Sequence, residues 1–263
     1  MPARFVHLRA GHVFFGTRPC TCPTIPIRLA IFKFIGSSAL IPSRGDVARR
    51  AAAAAASILV FAAALYCQTG PPKEDHKRKA DLIELITLDK TIKLDIRYAT
   101  DHNFVGRAVY PEARAFLQRP AAEALVTVQK ELRKEGLGLV IFDGYRPWSI
   151  TKLFWEVVPE DKRKYVADPA KGSKHNRGCA VDLSIYELKS GKLVPMPSDF
   201  DDFAERAAAD YPGGTAEERA NRDKLRRLME SEGFIVNPDE WWHFDYKDWR
   251  HYAIYDIAMS KIH

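Results

Sequence analysis

Cysteine is almost absent from the body of this chain. Cys20, Cys22 and Cys67 fall within the first 67 residues, and only Cys179 follows. No disulfide framework can therefore hold the later part together. Cys20 and Cys22 sit one residue apart with no second pair nearby, and read as incidental thiols rather than a metal site. A long hydrophobic run is missing too. The longest, residues 51–66, has 16 residues including Ser57, against the roughly 20 that a stable membrane span needs. A basic surplus is missing from the body as well. Residues 1–67 carry eight Lys/Arg and one acid, Asp46, a charge of +7; the whole chain is +6, so the remainder sums to −1. That near-neutral remainder excludes the clustered positive surface of a nucleic-acid binder. No internal repeat appears. A hydrophobic content of 46% and a charged content of 28% describe a globular chain. Its length allows one domain of about 180–200 residues plus a leader.

The leader is read from its order. Arg49-Arg50 precede the apolar run, and the run is rich in alanine, which suits cleavage. A charged start, a short apolar stretch and small residues make a secretory signal peptide over 47–67. Gln68 to Lys73, with Gly70-Pro71-Pro72, opens a linker placed at 68–80, and the domain follows at 81–263. Signal peptides stand at the N-terminus, so residues 1–46 are expected to be an untranslated or disordered extension. Translation would start at Val47 through an alternative start codon, since the methionines are Met1, Met196, Met229 and Met259. The product is expected to be exported, periplasmic or extracellular, with no stable membrane span after cleavage. Lipid attachment at Cys67 is disfavoured by the bulk of Tyr66.

Within the domain, Ile92 to Tyr98 alternates with period two and predicts a strand. Pro120 to Glu135 predicts a helix with Leu125, Val128 and Leu132 on one face, stopping at Gly136. Leu137 to Phe142 predicts a strand, Ser149 to Val158 a helix, and Cys179 to Tyr186 a strand followed by a turn at Lys189–Lys192. Thr215 with Glu218 forms a capping-box pattern for a helix ending at Gly233. Trp241 to Tyr246 predicts a final buried strand. Mixed elements without regular alternation give an α+β class: a small, mainly antiparallel sheet with packed helices.

Three short segments carry the chemistry. They are Ser173-Lys174-His175-Asn176-Arg177-Gly178-Cys179-Ala180-Val181-Asp182, Glu240-Trp241-Trp242-His243, and Asp143-Gly144-Tyr145-Arg146-Pro147. His175, Asp182 and His243 offer two imidazoles and a carboxylate, which is the three-ligand set of a catalytic zinc site with one open position. Gly178 and the β-type run after it place His175 in a loop and Asp182 on a strand. Glu240, three residues before His243, is the spare carboxylate that can take a proton from zinc-held water. Taken singly, each residue has a plainer reading: a surface or core histidine, a salt-bridge aspartate, a surface glutamate beside two tryptophans. The joint spacing is far more specific. His102, His251 and His263 lack such company. Trp241 and Trp242 read as packing, with one walling the pocket. Arg146, stiffened by Pro147, either stabilises an oxyanion or pairs with Asp143.

Together these segments resemble the D-alanyl-D-alanine dipeptidases of the VanX type. These zinc peptidases share the hedgehog/DD-peptidase fold with D,D-carboxypeptidases and some phage endolysins. The resemblance runs from about Leu94 to Tyr255 and includes Leu94-Asp95-Ile96-Arg97-Tyr98-Ala99-Thr100, Asn103-Phe104, Gly106 and Phe200-Asp201-Asp202-Phe203. It implies His175, Asp182 and His243 as ligands of one Zn2+, Glu240 as base and later acid, and Arg146 as stabiliser of the transition-state oxyanion. It also implies Ser173 as a substrate-binding residue and Asp201 as the partner of the substrate's ammonium group. A hydroxyl that caps the loop and a helix N-cap are the plainer readings of Ser173 and Asp201. The family carries Gly before its Phe-Asp segment, where this chain has Pro197-Ser198, a difference that concerns the loop and not the ligands.

The implied reaction is hydrolysis of D-alanyl-D-alanine to two D-alanines, with a small D,D-dipeptide as partner and no nucleic acid. Two alternatives stay open. One is a D,D-carboxypeptidase or peptidoglycan endopeptidase, and the other a non-catalytic zinc-containing binding module, against which the intact Glu240 and Arg146 speak. An exported enzyme would meet wall fragments outside the cytoplasm, which fits recovery of D-alanine better than glycopeptide resistance.

Overall fold

The computed structural model describes residues 70–263. The expected extension over 1–46, the expected signal peptide over 47–67 and three of the cysteines lie outside the described residues. Among the described residues no helix is long and apolar enough to cross a membrane.

Five strands form the main sheet: β2 (Lys93–Leu94), β4 (Leu137–Asp143), β5 (Ala180–Glu187), β6 (Phe234–Asn237) and β7 (Glu240–Tyr246), in the order β2-β4-β5-β7-β6. Only β2 and β4 run parallel; every other pair is antiparallel. A second, two-stranded sheet pairs β1 (Leu82–Glu84) with β3 (Phe116–Gln118). The short α1 (Leu85–Leu88) follows β1. The fold class is α+β with a mainly antiparallel sheet, as the mixed pattern predicts.

Helix α2 (Arg119–Lys134) buries Ala121, Ala122, Leu125, Val128, Gln129 and Leu132, a stripe at helical spacing. Pro120 stands at its start, where the missing N–H costs nothing. Helix α3 (Trp148–Val157) begins directly after Pro147. Helix α4 (Ala216–Ser231) has both bonds of its capping box: Glu218 N–H donates to Thr215 Oγ1 at 3.1 Å, and Thr215 N–H to Glu218 Oε2 at 2.6 Å. Gln129 reaches into the core, where its Oε1 accepts from the Leu139 N–H at 2.7 Å and its Nε2 donates to Thr91 Oγ1 at 2.8 Å. A buried amide satisfied on both sides fixes where α2 lies against β4.

The expected strand over Ile92–Tyr98 is shorter than its pattern. Only Lys93 and Leu94 pair with β4, and Arg97–Ala99 forms a 3-10 turn. The alternation reports burial instead: Ile92, Ile96 and Tyr98 are buried and Lys93 is exposed. The chain leaves the sheet so that Tyr98 can enter the core against Phe104, Tyr110 and Phe154. The turn at Lys189–Lys192 closes with the Glu187 N–H donating to Lys192 O at 2.9 Å, but its return arm is a single bridge, Tyr186 to Leu193. Residues 74–80, within the stretch read as linker, are fastened to the domain. Arg177 donates to Glu74 at 2.8 and 3.1 Å, and the Arg78 N–H donates to His251 O at 2.8 Å.

Candidate metal centre

Three neighbouring strands line up three side chains across the sheet. Asp143 on β4 stands opposite Asp182 on β5, and Asp182 stands opposite His243 on β7. A register shift between Ile141 and Asp143 creates the first pairing. Without that bulge Phe142 would face Asp182, so the extra residue is what aims Asp143 at the site.

His175 arrives from a loop. The segment Ser173–Gly178 coils through a 3-10 turn at His175–Arg177, with the Ser173 N–H donating to Asn176 Oδ1 at 2.7 Å and the His175 N–H to Ser173 Oγ at 3.2 Å. Asn176 then fastens the loop by donating to Arg146 O at 2.9 Å and to Thr151 Oγ1 at 2.8 Å. Gly178 ends the turn at φ 67°, and a Cβ there would lie 2.4 Å from Leu82. Glycine is the residue that fits both conditions.

His175, Asp182 and His243 converge and are all buried. His175 Nε2 lies 3.1 Å from His243 Nδ1 and 3.4 Å from the Asp182 carboxylate, and His243 Nδ1 lies 3.0 Å from Asp182 Oδ1. These three can hold a metal ion. The outer nitrogens are already engaged: His175 Nδ1 lies 2.7 Å from Gly144 O, and His243 Nε2 lies 3.0 Å from Asp245 Oδ1. Both rings therefore direct their other nitrogen inward, where a metal ion can take the place of a proton. Burial resists charge on Asp182, yet His175 and His243 hold its carboxyl well below the usual range. Burial likewise opposes protonation of His243, but its bonds to Asp182 and Asp245 outweigh it and push the pKa up to about 10. This pocket draws positive charge to one point.

Glu240 stands beside that point. Its carboxylate is 3.8 Å from His243 Nδ1 and accepts from Asn237 Nδ2 at 2.8 Å across the β6–β7 hairpin. Burial raises its pKa above the ordinary glutamate value, against the pull of His243. Arg146 is held by Asp143, which accepts from Nε at 2.9 Å and from Nη2 at 2.7 Å. Asp143 Oδ1 in turn accepts from Tyr110 OH and the Gly144 N–H, each at 2.8 Å. Burial works against the guanidinium charge, but Asp143 and its neighbours hold it firmly protonated. Nη2 reaches to 3.8 Å from Asp182 Oδ2. The salt bridge to Asp143 and a place at the site are thus both true of Arg146.

A cavity of about 260 Å³ opens here. The sequence-predicted residues Arg146, Ser173, His175, Asp182, Asp201, Glu240 and His243 all line it. Asp201 is no helix N-cap. It has φ 61° and accepts from Tyr98 OH at 2.9 Å. Burial and the nearby Asp182 raise its pKa well above the ordinary value. The Ser173 hydroxyl does cap the loop, while its own hydrogen remains to be donated. Trp242 walls the cavity, and Trp241 donates to Ser198 Oγ at 2.9 Å, which anchors the segment where the chain departs from the family. His102, His251 and His263 are exposed and line no part of it. Sequence reasoning misses Asp245, Asn237 and Tyr98 as site residues. A His-x-Asp spacing on a strand would have signalled Asp245, because alternate residues share a face.

Residues 78–260 match the peptidase M15 family, described as D-ala-D-ala dipeptidase. The chain belongs to the D-Ala-D-Ala dipeptidase family. Among this family's members, the D-alanyl-D-alanine dipeptidase of Escherichia coli (strain K12) is 33% identical over 165 residues, covering 63% of this chain and 84% of that protein. The D-alanyl-D-alanine dipeptidase of Enterococcus faecalis (strain ATCC 700802 / V583) is 37% identical over 171 residues, covering 58% of this chain and 85% of that protein. A solved structure of the vancomycin-resistance D,D-dipeptidase VanXYg, in complex with a D-Ala-D-Ala phosphinate analogue, is 23% identical. It aligns with a TM-score of 0.35 over 52% of this chain and 53% of that chain.

Proposed function

We propose that this chain hydrolyses D-alanyl-D-alanine at a single zinc ion held by His175, Asp182 and His243. The observation that carries the proposal is the convergence of these three side chains with Glu240 beside them. Ligand atoms bound tetrahedrally at the usual Zn–N distance of about 2.0–2.1 Å stand about 3.4 Å apart. His175 Nε2 and His243 Nδ1 stand 3.1 Å apart, with Asp182 Oδ2 3.4 Å from the first and Asp182 Oδ1 3.0 Å from the second, so the two nitrogens and the carboxylate converge closely enough for such a cation. The mixed imidazole and carboxylate donors suit zinc as well.

When bound, zinc supplies an acidified water and a positive charge for the scissile carbonyl. Glu240 takes the proton of that water, and burial, which raises its pKa, makes it a better proton acceptor than an exposed glutamate. It then passes the proton to the nitrogen of the leaving D-alanine. The Arg146 guanidinium, pinned in place by Asp143, stabilises the negative charge that develops on the carbonyl oxygen. Asp201 receives the substrate's ammonium group. Asp201 and Glu240 line the same cavity, and an ammonium group placed against Asp201 would favour the charged form that burial and Asp182 oppose. Ser173 binds the substrate through its hydroxyl hydrogen.

A second reading rests on one feature. An adjoining cavity of about 480 Å³ shares Lys164, Tyr165, Phe203 and Asp239 with the first, so a longer peptide has room to continue past the dipeptide. This favours a D,D-carboxypeptidase or endopeptidase. A panel of D,D-, L,D- and L,L-dipeptides with a D-Ala-D-Ala-terminated pentapeptide separates the two. Preference for the free D,D-dipeptide supports the first reading, and preference for the pentapeptide supports the second.

The charged and apolar leader supports export, and with it a role in recovering D-alanine from wall fragments. Fractionation of the native protein tests this: recovery in the cytosol contradicts it.

A further inference from the structure

We infer that Asp245 is a positioning residue for the metal centre, fixing the His243 imidazole and, through Lys174, tying together the two segments that supply the imidazole ligands. The inference rests on the zinc reading above. An imidazole can bind a metal through either nitrogen, and the bond made by the other nitrogen decides which. On β7, His243 and Asp245 lie two residues apart and so on one face. Asp245 Oδ1 stands 3.0 Å from His243 Nε2, where it can accept that nitrogen's proton and leave Nδ1, which faces Asp182 and His175, to serve the metal. The Asp245 backbone is gripped from both sides, by Ala180 on β5 and Ile235 on β6, so the carboxylate has a fixed origin.

The other carboxylate oxygen is bound as well. Lys174 Nζ lies 2.8 Å from Asp245 Oδ2, and its ammonium also sits 5.5 Å over the Trp249 ring. Lys174 immediately precedes His175. The pair Lys174–Asp245 therefore joins the loop that carries one imidazole to the strand that carries the other. The His175 ring has a different support, the neutral carbonyl of Gly144. Asp143 Oδ2 comes no closer than 3.9 Å to His175 Nδ1, so Asp245 is the carboxylate within hydrogen-bond distance of an outer ring nitrogen; its side chain is only 13% exposed, so water competes little for the bond.

Zinc affinity of the full chain, measured by competition with a chromophoric chelator, tests this without relying on turnover. Asp245→Ala is expected to bind zinc about 10–100-fold more weakly, the range for loss of such an outer partner. Asp245→Asn keeps an oxygen acceptor for Nε2–H and is expected to fall between Ala and the parent. Cobalt substitution gives a second readout: the visible d–d spectrum of Asp245→Ala is expected to change, and that of Arg119→Ala, which breaks the remote pair with Asp81, to stay as in the parent. Parent-like zinc affinity in Asp245→Ala overturns the inference. If that variant does not fold, parent-like affinity in Asp245→Asn overturns it. Normal zinc binding without dipeptide hydrolysis would defeat the functional reading and leave this one standing. A parent chain that binds no zinc would defeat both.

Discussion

Asp182 and His243 face each other across two antiparallel strands, with Asp182 Oδ1 3.0 Å from His243 Nδ1. Sixty residues of intervening chain are brought to one rung of the sheet. The loop that ends at Gly178 then has only to deliver His175 above that rung. Two of the three groups proposed to hold the metal are thus as rigid as the ladder itself, and rigid placement is what a metal site requires.

Removing the proton carrier should separate chemistry from metal binding. Glu240→Gln or Glu240→Ala is expected to lower kcat by about 10²–10⁴-fold. Metal analysis of the same variants should give the parent's zinc content. Near-parental turnover contradicts the role given to Glu240.

Loss of a ligand should act on the metal first. His175→Ala is expected to emerge from dialysis with little zinc and little activity. It breaks no sheet pairing, because His175 sits in a loop. Full zinc content by atomic absorption contradicts the assignment.

Asp143 should matter for stability as much as for rate. It is fully buried and accepts four hydrogen bonds, two of them from Arg146. Asp143→Ala leaves a buried guanidinium without its partner, at a cost of about 3–5 kcal/mol. Urea unfolding measures this. Arg146→Lys should fold better yet lose about 10²–10³ in kcat, because an ammonium cannot reproduce the fork.

Cys179 predicts a pH dependence outside the site. Burial pushes its thiol up to about 12. The unfolded thiol ionises first, near its ordinary pKa of about 8.5. The folded state therefore holds the proton more tightly, and this contribution to stability is present at neutral pH and lost as pH rises from about 8.5 toward 12. Denaturant titrations of the parent and Cys179→Ala across that range should diverge as pH rises. At pH 8 a thiol reagent should label Cys179 only after unfolding.

Much of this site is legible in the sequence because its groups are chemically rare together. Two histidines, an aspartate and a glutamate at these spacings point to one chemistry whatever the exact fold. Helices α2 and α4 are legible from Pro120, the apolar stripe and the Thr215–Glu218 box. Other features depend on partners that sequence order does not reveal. The bulge that aims Asp143 exists only relative to β5. The period-two pattern from Ile92 to Tyr98 marks buried positions but not the strand that would pair with them, and only two residues find one. Arg146 offers two readings in sequence because a single guanidinium can serve both, and its geometry shows the ion pair to Asp143 with Nη2 directed at Asp182.

The most direct measurement is release of D-alanine from D-alanyl-D-alanine by the chain stripped with a chelator and then titrated with zinc. The account predicts no hydrolysis by the stripped chain and recovery that saturates at one zinc per chain. Equal hydrolysis before and after zinc, or none at saturation, contradicts it.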